Sequence, residues 1–201
     1  MGHRLSRIVT RTGDQGQTSL GNGLRVDKDS PTITTLGTVD ELNSWIGVLI
    51  ALSKSEPMKQ LFTLVQHDLF DLGAQISVPG TPLLSEAHLL RIERNFEEAN
   101  SGLDMLKDFI LPGGAPASAF AHVARTVCRR AERQLCSLLE TEATASGVLS
   151  DTAPAAESFG LCYLNRLSDL LFVVARAENR ADGRADVLWE RGKSLATAAM
   201  A

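Results

Sequence analysis

The sequence predicts an all-α fold, a bundle of five helices behind an irregular N-terminal stretch. Apolar residues recur at three- and four-residue spacing through most of the chain. Gly, Pro and capping residues punctuate those segments at helix-sized intervals. No part of the chain demands a sheet. With 201 residues, 44% apolar and 22% charged, a single domain can bury a sizeable core. It divides into an irregular segment 1–37, a bundle over 38–181 and a tail over 182–201.

The stretch 8–35, IVTRTGDQGQTSLGNGLRVDKDSPTITT, is crowded with turn-forming residues and lacks helical periodicity. Its glycines permit close backbone approach, Thr10, Thr12, Thr18 and Ser19 supply hydroxyls, and Lys28 adds a cation. Two readings stand: a surface turn cluster, or a loop that cradles phosphate. It matches neither the P-loop nor the dinucleotide fingerprint.

Thr38 with Glu41 three residues on predicts a capping box opening the first helix, with Leu42, Trp45, Ile46, Leu49 and Ile50 as its apolar face. Pro57 opens the second, which ends before Pro79-Gly80-Thr81-Pro82. Ser85 and His88 open the third, with Leu89, Ile92, Phe96 and Ala99 inward and a stop at Gly102. Phe109-Ile110-Leu111-Pro112-Gly113-Gly114 follows as either a tethered crossing loop or a mount that presents Phe109 to a flat apolar ligand.

The fourth helix is expected from Pro116 to Thr141. Its segment 124–134, ARTVCRRAERQ, packs four arginines and one glutamate into three turns. At about 100° per residue Arg125, Arg129, Glu132 and Arg133 share one stripe, with His122 and Cys136 at its ends, bordering the buried face. Either these are surface ion pairs, such as Arg129 or Arg130 with Glu132, or the guanidinium groups await a polyanion. The last long helix, Pro154 to Asn179, is apolar almost all round except for Asn165, Asp169 and Arg176. That stripe serves cross-bundle hydrogen bonds or a ligand equally well. In the tail, Trp189 is expected to pack back on the bundle.

The net charge of −4 gives no general attraction to nucleic acid or anionic membrane, so any anion site is local. Cys128, Cys136 and Cys162 have no metal-ligand spacing. No segment approaches the roughly 20 apolar residues of a membrane span, and a reducing cytoplasm is the expected location. There is no Glu-x-x-His pair for a di-iron bundle and no recognisable nucleophile context. If the protein is an enzyme, its nucleophile belongs to a cofactor.

Taken together and in order, TRTGDQGQTSL, RVDKD, GTVDELNSWIG, FILPGG, ARTVCRRAER and YLNRLSDLLFVVAR resemble the PduO-type ATP:cob(I)alamin adenosyltransferases. The resemblance implies a bundle of about five helices assembled as a homotrimer, with ATP and corrinoid at subunit interfaces. It makes 1–37 a nucleotide-binding loop, in which Thr10, Arg11, Thr12, Gly13, Thr18, Ser19 and Lys28 meet ATP, completed by Arg129, Arg130, Glu132, Arg133 and Asn165. Mg²⁺ enters through the ATP phosphates, with no protein metal ligand. Asp40 and Arg125 resemble an intersubunit pair on the corrinoid side, and Phe109 resembles the aromatic that displaces the lower axial ligand.

The implied reaction makes the corrinoid four-coordinate and reduces it, and Co(I) then attacks C5′ of ATP to give adenosylcobalamin and triphosphate. A Co(II) reductase and an adenosylcobalamin-dependent enzyme are the implied partners. The alternative from another class is a non-catalytic corrinoid carrier. Gly21 to Leu24, which depart from the family pattern, and Trp189 carry no transferred role.

Overall fold

Ser30 and Pro31 start the first helix. The Ser30 Oγ accepts the Ile33 N–H at 3.5 Å and Pro31 sits at the first helical position. In the computed structural model, which describes residues 9–146 and 155–196, this helix, α1, spans Pro31–Leu52. The expected start at Thr38 is therefore displaced by a full two turns. Thr38 is buried mid-helix, its hydroxyl donating to the Thr34 carbonyl at 3.0 Å, and Thr35 donates to the Pro31 carbonyl at 2.9 Å. Threonines that bond back along a helix look, in sequence, like threonines that cap one.

The irregular segment before α1 is correspondingly shorter than 1–37, and it contains a small antiparallel hairpin. Strands β1 (Gln17–Ser19) and β2 (Arg25–Asp27) pair Gln17 with Asp27, Thr18 with Val26 and Ser19 with Arg25. At three residues a strand, the hairpin leaves the all-α class intact.

α2 (Glu56–Ser77) is capped by Ser55, whose Oγ accepts the Met58 N–H. α3 (Glu86–Ser101) opens at Ser85, where the sequence placed its start, and the Ser85 N–H donates to His88 Nδ1 at 3.1 Å. α4 (Pro116–Ser146) runs about one turn past Thr141, because Thr141 and Thr144 bond back to the carbonyls of Ser137 and Glu140. The Ala-Thr-Ala-Ser-Gly stretch 143–147, expected to break this helix, stays helical through Ser146, while Gly147 and the expected start at Pro154 lie outside the described residues. α5 spans Ala155–Ala181, and the tail adds one turn, α6 (Lys193–Ala196).

Contacts between helices set their directions. Asn43 and Gln66 exchange side-chain-to-carbonyl bonds at 3.2 Å, and Trp45 stacks on Phe120 with centroids 5.6 Å apart. The Cys128 thiol donates to the Leu164 carbonyl at 3.2 Å, while Arg166 meets Glu93 at 3.1 Å. α1, α3 and α5 thus run one way, α2 and α4 the other. Leu42, Ile46, Phe62, Leu72, Ile92, Leu164, Leu167 and Leu171 are fully buried at the centre, each contributing roughly 1.5–3 kcal/mol by leaving water.

One polar knot crosses this core. Asp68 of α2, 4% exposed, accepts the Tyr163 hydroxyl of α5 at 2.6 Å and pairs with Arg91 of α3. Burial, and then the Asp68 carboxylate, push the Tyr163 phenol above its ordinary range. Tyr163→Phe is expected to keep the fold and lower its stability by about 2 kcal/mol, since a bond to a buried charge is lost. Urea denaturation measures it, and an unchanged midpoint would show that Arg91 alone satisfies Asp68.

Candidate active site

Helical geometry puts Arg125 and Arg129 one turn apart on α4, and the fold gives them a common cavity. It encloses about 570 Å³ between α4, α3 (Phe96, Asn100), α5 (Asp169, Phe172) and the connector that follows α3. Neither guanidinium has a carboxylate partner in the chain among the described residues. The Arg125 Nε is buried with no hydrogen-bond acceptor. Burial first, and the Arg129 charge second, push the Arg125 pKa down from its usual value. Two cations side by side, one partly desolvated, make a site for an anion.

The other members of the stripe diverge. Arg130 is turned about 100° from Arg129 and pairs with Glu41 of α1. Glu132 accepts a bond from Asn165 Nδ2 at 3.0 Å, so it is tied to α5 and not to an arginine of its own helix. Asn165 Oδ1 in turn accepts from Arg166 at 3.3 Å. Arg133 is exposed and donates to the Arg129 carbonyl at 2.9 Å. Of the polar stripe on α5, Asn165 and Arg176 are engaged within the bundle and Asp169 opens onto the cavity. Burial pushes the Cys128 thiol far up, so it is no nucleophile at neutral pH. Asp40 is exposed on α1 and has no ion pair within the chain among the described residues.

The hairpin gathers the N-terminal set. Arg11 holds a left-handed backbone at φ 59°, a conformation seldom adopted without tertiary cause. The Thr10 and Thr12 hydroxyls lie 3.0 Å apart, and Arg25 donates to the Thr12 carbonyl at 2.9 Å. Lys28 bends its ammonium over Gly13, where a Cβ would lie 3.0 Å from Nζ. The Lys28 N–H closes the turn on the Gly16 carbonyl at 2.8 Å. Thr18 and Ser19 lie on β1 and are half-buried. The Gly21 N–H bonds Ser77 Oγ at 2.6 Å, anchoring this assembly at the end of α2.

Phe109 stands at the opposite end of the bundle, 78% exposed. The tail holds its backbone: the Trp189 N–H donates to the Phe109 carbonyl at 2.7 Å and the Leu111 N–H to the Val187 carbonyl at 2.8 Å. Trp189 thus joins the Phe109 loop through its main chain and not, as expected, by packing on the bundle, and the residue is 41% exposed, its indole beneath Arg191. Asn179 at the end of α5 accepts the Ala115 N–H at 2.8 Å, and Gly114 must be glycine because a Cβ there would lie 2.0 Å from Asn179 Oδ1. Asp186 bonds Asn179 at 3.3 Å and Arg176 at 2.7 Å, and Arg176 also donates to the Asp104 carbonyl. Sequence reasoning missed Asn179 and Asp186. The only local signals were the glycine pair before α4 and a polar residue closing α5.

A family model described as cobalamin adenosyltransferase matches residues 8–178. A cobalamin adenosyltransferase from Cupriavidus metallidurans is 49% identical over 192 residues, 95% of this chain and 98% of its own. A corrinoid adenosyltransferase from Mycobacterium tuberculosis is 41% identical over 200 residues, covering 96% and 97%. Among solved structures, a phenylalanine-to-alanine variant of a PduO-type ATP:corrinoid adenosyltransferase from Lactobacillus reuteri, complexed with cobalamin and ATP, superposes with a TM-score of 0.80. It is 30% identical and covers 92% of this chain and 100% of its own. An arginine-to-lysine variant of that enzyme, complexed with ATP, gives 0.79 at 31% identity, covering 91% and 100%.

Beside Arg125, His122 is 3% exposed, edge-on to Phe172 at 6.1 Å, and both ring nitrogens are buried without partners. Burial, then the Arg125 charge, lower its pKa below the ordinary 6.5. Its folded form stays neutral where the unfolded chain takes a proton, so this contribution to stability is full above about pH 6.5 and fades as pH falls below it. The thermal midpoint is expected to drop between pH 7 and pH 5, and to drop less in His122→Leu. Equal slopes in the two proteins would assign the acid sensitivity elsewhere.

Proposed function

This chain belongs to the cobalamin adenosyltransferase family, and on that premise we propose how its own residues carry out the reaction. It transfers the 5′-deoxyadenosyl group of ATP to the Co(I) centre of a reduced corrinoid. The Co–C5′ bond forms, the bond from C5′ to the triphosphate oxygen breaks, and adenosylcobalamin and triphosphate leave. Both electrons of the new bond come from Co(I), so no acid/base pair of the protein is required.

The observation that carries the assignment is the pair Arg125 and Arg129, cations in a large cavity with no carboxylate partner among the described residues. Arg129, with Arg133 near it, stabilises the charge that grows on the departing triphosphate. Glu132 and Asn165 hold each other and fix the α4–α5 seam against the nucleotide, and Arg130 stiffens α4 through Glu41. Thr10, Arg11, Thr12, Gly13, Thr18, Ser19 and Lys28 present hydroxyls, amides and two cations to the phosphates from the hairpin. Phe109 fills the lower face of the corrinoid and keeps a base from returning to cobalt. Positioning of C5′ in line with Co(I) and exclusion of water do the rest.

Among the described residues no cluster of three His, Cys, Asp or Glu side chains could hold a metal ion. Bound through the ATP phosphates, Mg²⁺ would neutralise charge on the departing triphosphate.

The hairpin and Phe109 lie at opposite ends of α1, whose 22 residues span about 33 Å. One copy cannot close both around adjoining substrates. A homotrimer with sites between subunits resolves this, bringing one copy's hairpin to the next copy's α4. The outward strip of α1 suits that role, because Gly37, Asp40 and Ser44 are small or polar and exposed. Asp40 of one copy then neutralises Arg125 of its neighbour. We place the protein in the cytoplasm, with a Co(II) reductase upstream and an adenosylcobalamin-dependent enzyme downstream. No helix among the described residues is long and apolar enough to cross a membrane.

Purified protein, ATP, Mg²⁺ and chemically reduced cobalamin are expected to yield a light-sensitive alkylcobalamin and triphosphate under anaerobic conditions. Arg129→Ala should lower kcat/KM for ATP by about 10²–10³-fold. Phe109→Ala should spare ATP binding and abolish the four-coordinate Co(II) spectrum. Corrinoid binding without turnover in the unaltered protein would instead establish a carrier.

Reversing one charge, in Asp40→Arg or Arg125→Asp, should weaken both assembly and turnover, and combining the two reversals should restore them in part. Sedimentation velocity reads the assembly. Additive losses in the double variant would show that the two side chains do not meet.

A further inference from the structure

A second cavity, of about 440 Å³, opens beside the Phe109 loop and adjoins the first along Leu103 to Leu106 and Arg176, but the chemistry described above leaves Lys107 and Arg180 in its wall without a role. Its walls carry Lys107, Arg176, Arg180 and Arg184 against the carboxylates of Asp104 and Asp186. Two of those cations are compensated inside the chain. Arg176 is paired with Asp186 at 2.7 Å, and Arg184 with Asp182 at 2.9 Å. The Lys107 and Arg180 side chains have no hydrogen bond or ion pair among the described residues. Arg180 lies flat along the end of α3, its Nη1 3.6 Å from where a Gly102 Cβ would be. The remaining wall is apolar, with Met105 at 93% and Leu188 at 43% exposure.

Position gives this cavity its meaning. Lys107 precedes Phe109 by two residues, and Leu188 pairs with Ile110 across the bridge that holds the loop. When Phe109 takes the lower face of a complete corrinoid, the base it displaces swings away on a tether that contains one phosphodiester, a single negative charge followed by a flat aromatic ring. We propose that the Lys107–Arg180 cavity receives that displaced nucleotide tail, the phosphodiester between the two unpaired cations and the base against Met105 and Leu188. The proposal rests on the adenosyltransferase reading and on Phe109's place in it. Arg supplies a planar donor fork for phosphate oxygens and Lys a point charge. The site makes the enzyme prefer a complete corrinoid over a precursor without the nucleotide. The same chemistry could serve a phosphate of ATP or of released triphosphate, and the test separates these sources.

Dissociation constants for Co(II) cobalamin and for Co(II) cobinamide, which has no nucleotide tail, are to be titrated spectroscopically in the presence of ATP. The proteins compared are the unaltered chain, Lys107→Ala/Arg180→Ala and Arg180→Lys. The unaltered protein should bind cobalamin more tightly, by about tenfold. The double variant should lose that preference by weakening cobalamin alone, and Arg180→Lys should retain part of it. Higher salt should shrink the preference in the unaltered protein and in Arg180→Lys, and leave the double variant unchanged.

Equal weakening of both corrinoids, an unchanged preference, or a weaker affinity confined to ATP or inorganic triphosphate would each overturn the proposal. Because both residues are exposed and cobinamide serves as the internal reference, a folding defect would appear as the first of these. Selective binding of cobalamin by a protein that transfers nothing would sink the catalytic reading while upholding the tail site.

Discussion

Everything in this molecule that concerns its substrates hangs on the close antiparallel contact of α4 with α5. Ala121, Ala124 and Ala131 are fully buried in α4 and let the leucines of α5 approach, and the Cys128 thiol reaches the Leu164 carbonyl at 3.2 Å. Small residues along a seam bring two helix axes together and lock their register. Because the two helices run in opposite directions, the end of α5 meets the start of α4. Asn179 can then clasp Ala115 and Asp186, and through them steady the loop bearing Phe109. The same contact sets Arg125 and Arg129 opposite Asp169 and Phe172, at the mouth of the larger cavity.

Charge within the bundle follows the rule that buried ions are paired. Asp68 is met by Tyr163 and Arg91, Arg176 by Asp186, and Glu178 accepts the Ser53 hydroxyl at 2.5 Å. Against that background the exceptions are informative. Among the described residues Arg125, with its bare Nε, and Arg129, together with the exposed Asp40, Lys107 and Arg180, have no ion-pair partner. On the proposed reading, they are the charges left for a second copy or an anionic substrate. A transferase whose nucleophile is a metal has little use for a protein base; what it requires from the fold is a set of fixed charges and a way to exclude water.

Local signals were read well where they involve neighbours in sequence. Ser85 with His88, and Pro57, act within one or two turns, and the helices they open are found where they were expected. Thr38 misled because its hydroxyl bonds back to Thr34, which sequence cannot distinguish from a cap. The short hairpin escaped notice because three-residue strands carry too little alternation to register. In the candidate site, the chemistry of α4 was legible from a helical projection, yet the partners were not. Arg130 goes to Glu41, 89 residues away in sequence, and Glu132 goes to Asn165. Asn179 and Asp186 gave almost no warning, since the importance of Asn179 comes from a bond to a residue 64 positions earlier.

By itself, then, the sequence determined the helical class, most helix boundaries and the family, because periodicity, capping and motif order are properties of neighbouring residues. Only the tertiary structure decided which charges are cancelled and which remain. It also decided that the hairpin and Phe109 stand at opposite ends of one copy, and that the tail supports the Phe109 loop. Compensation of a charge depends on what the fold brings within a few ångströms of it, and those groups come from other helices, far away along the chain.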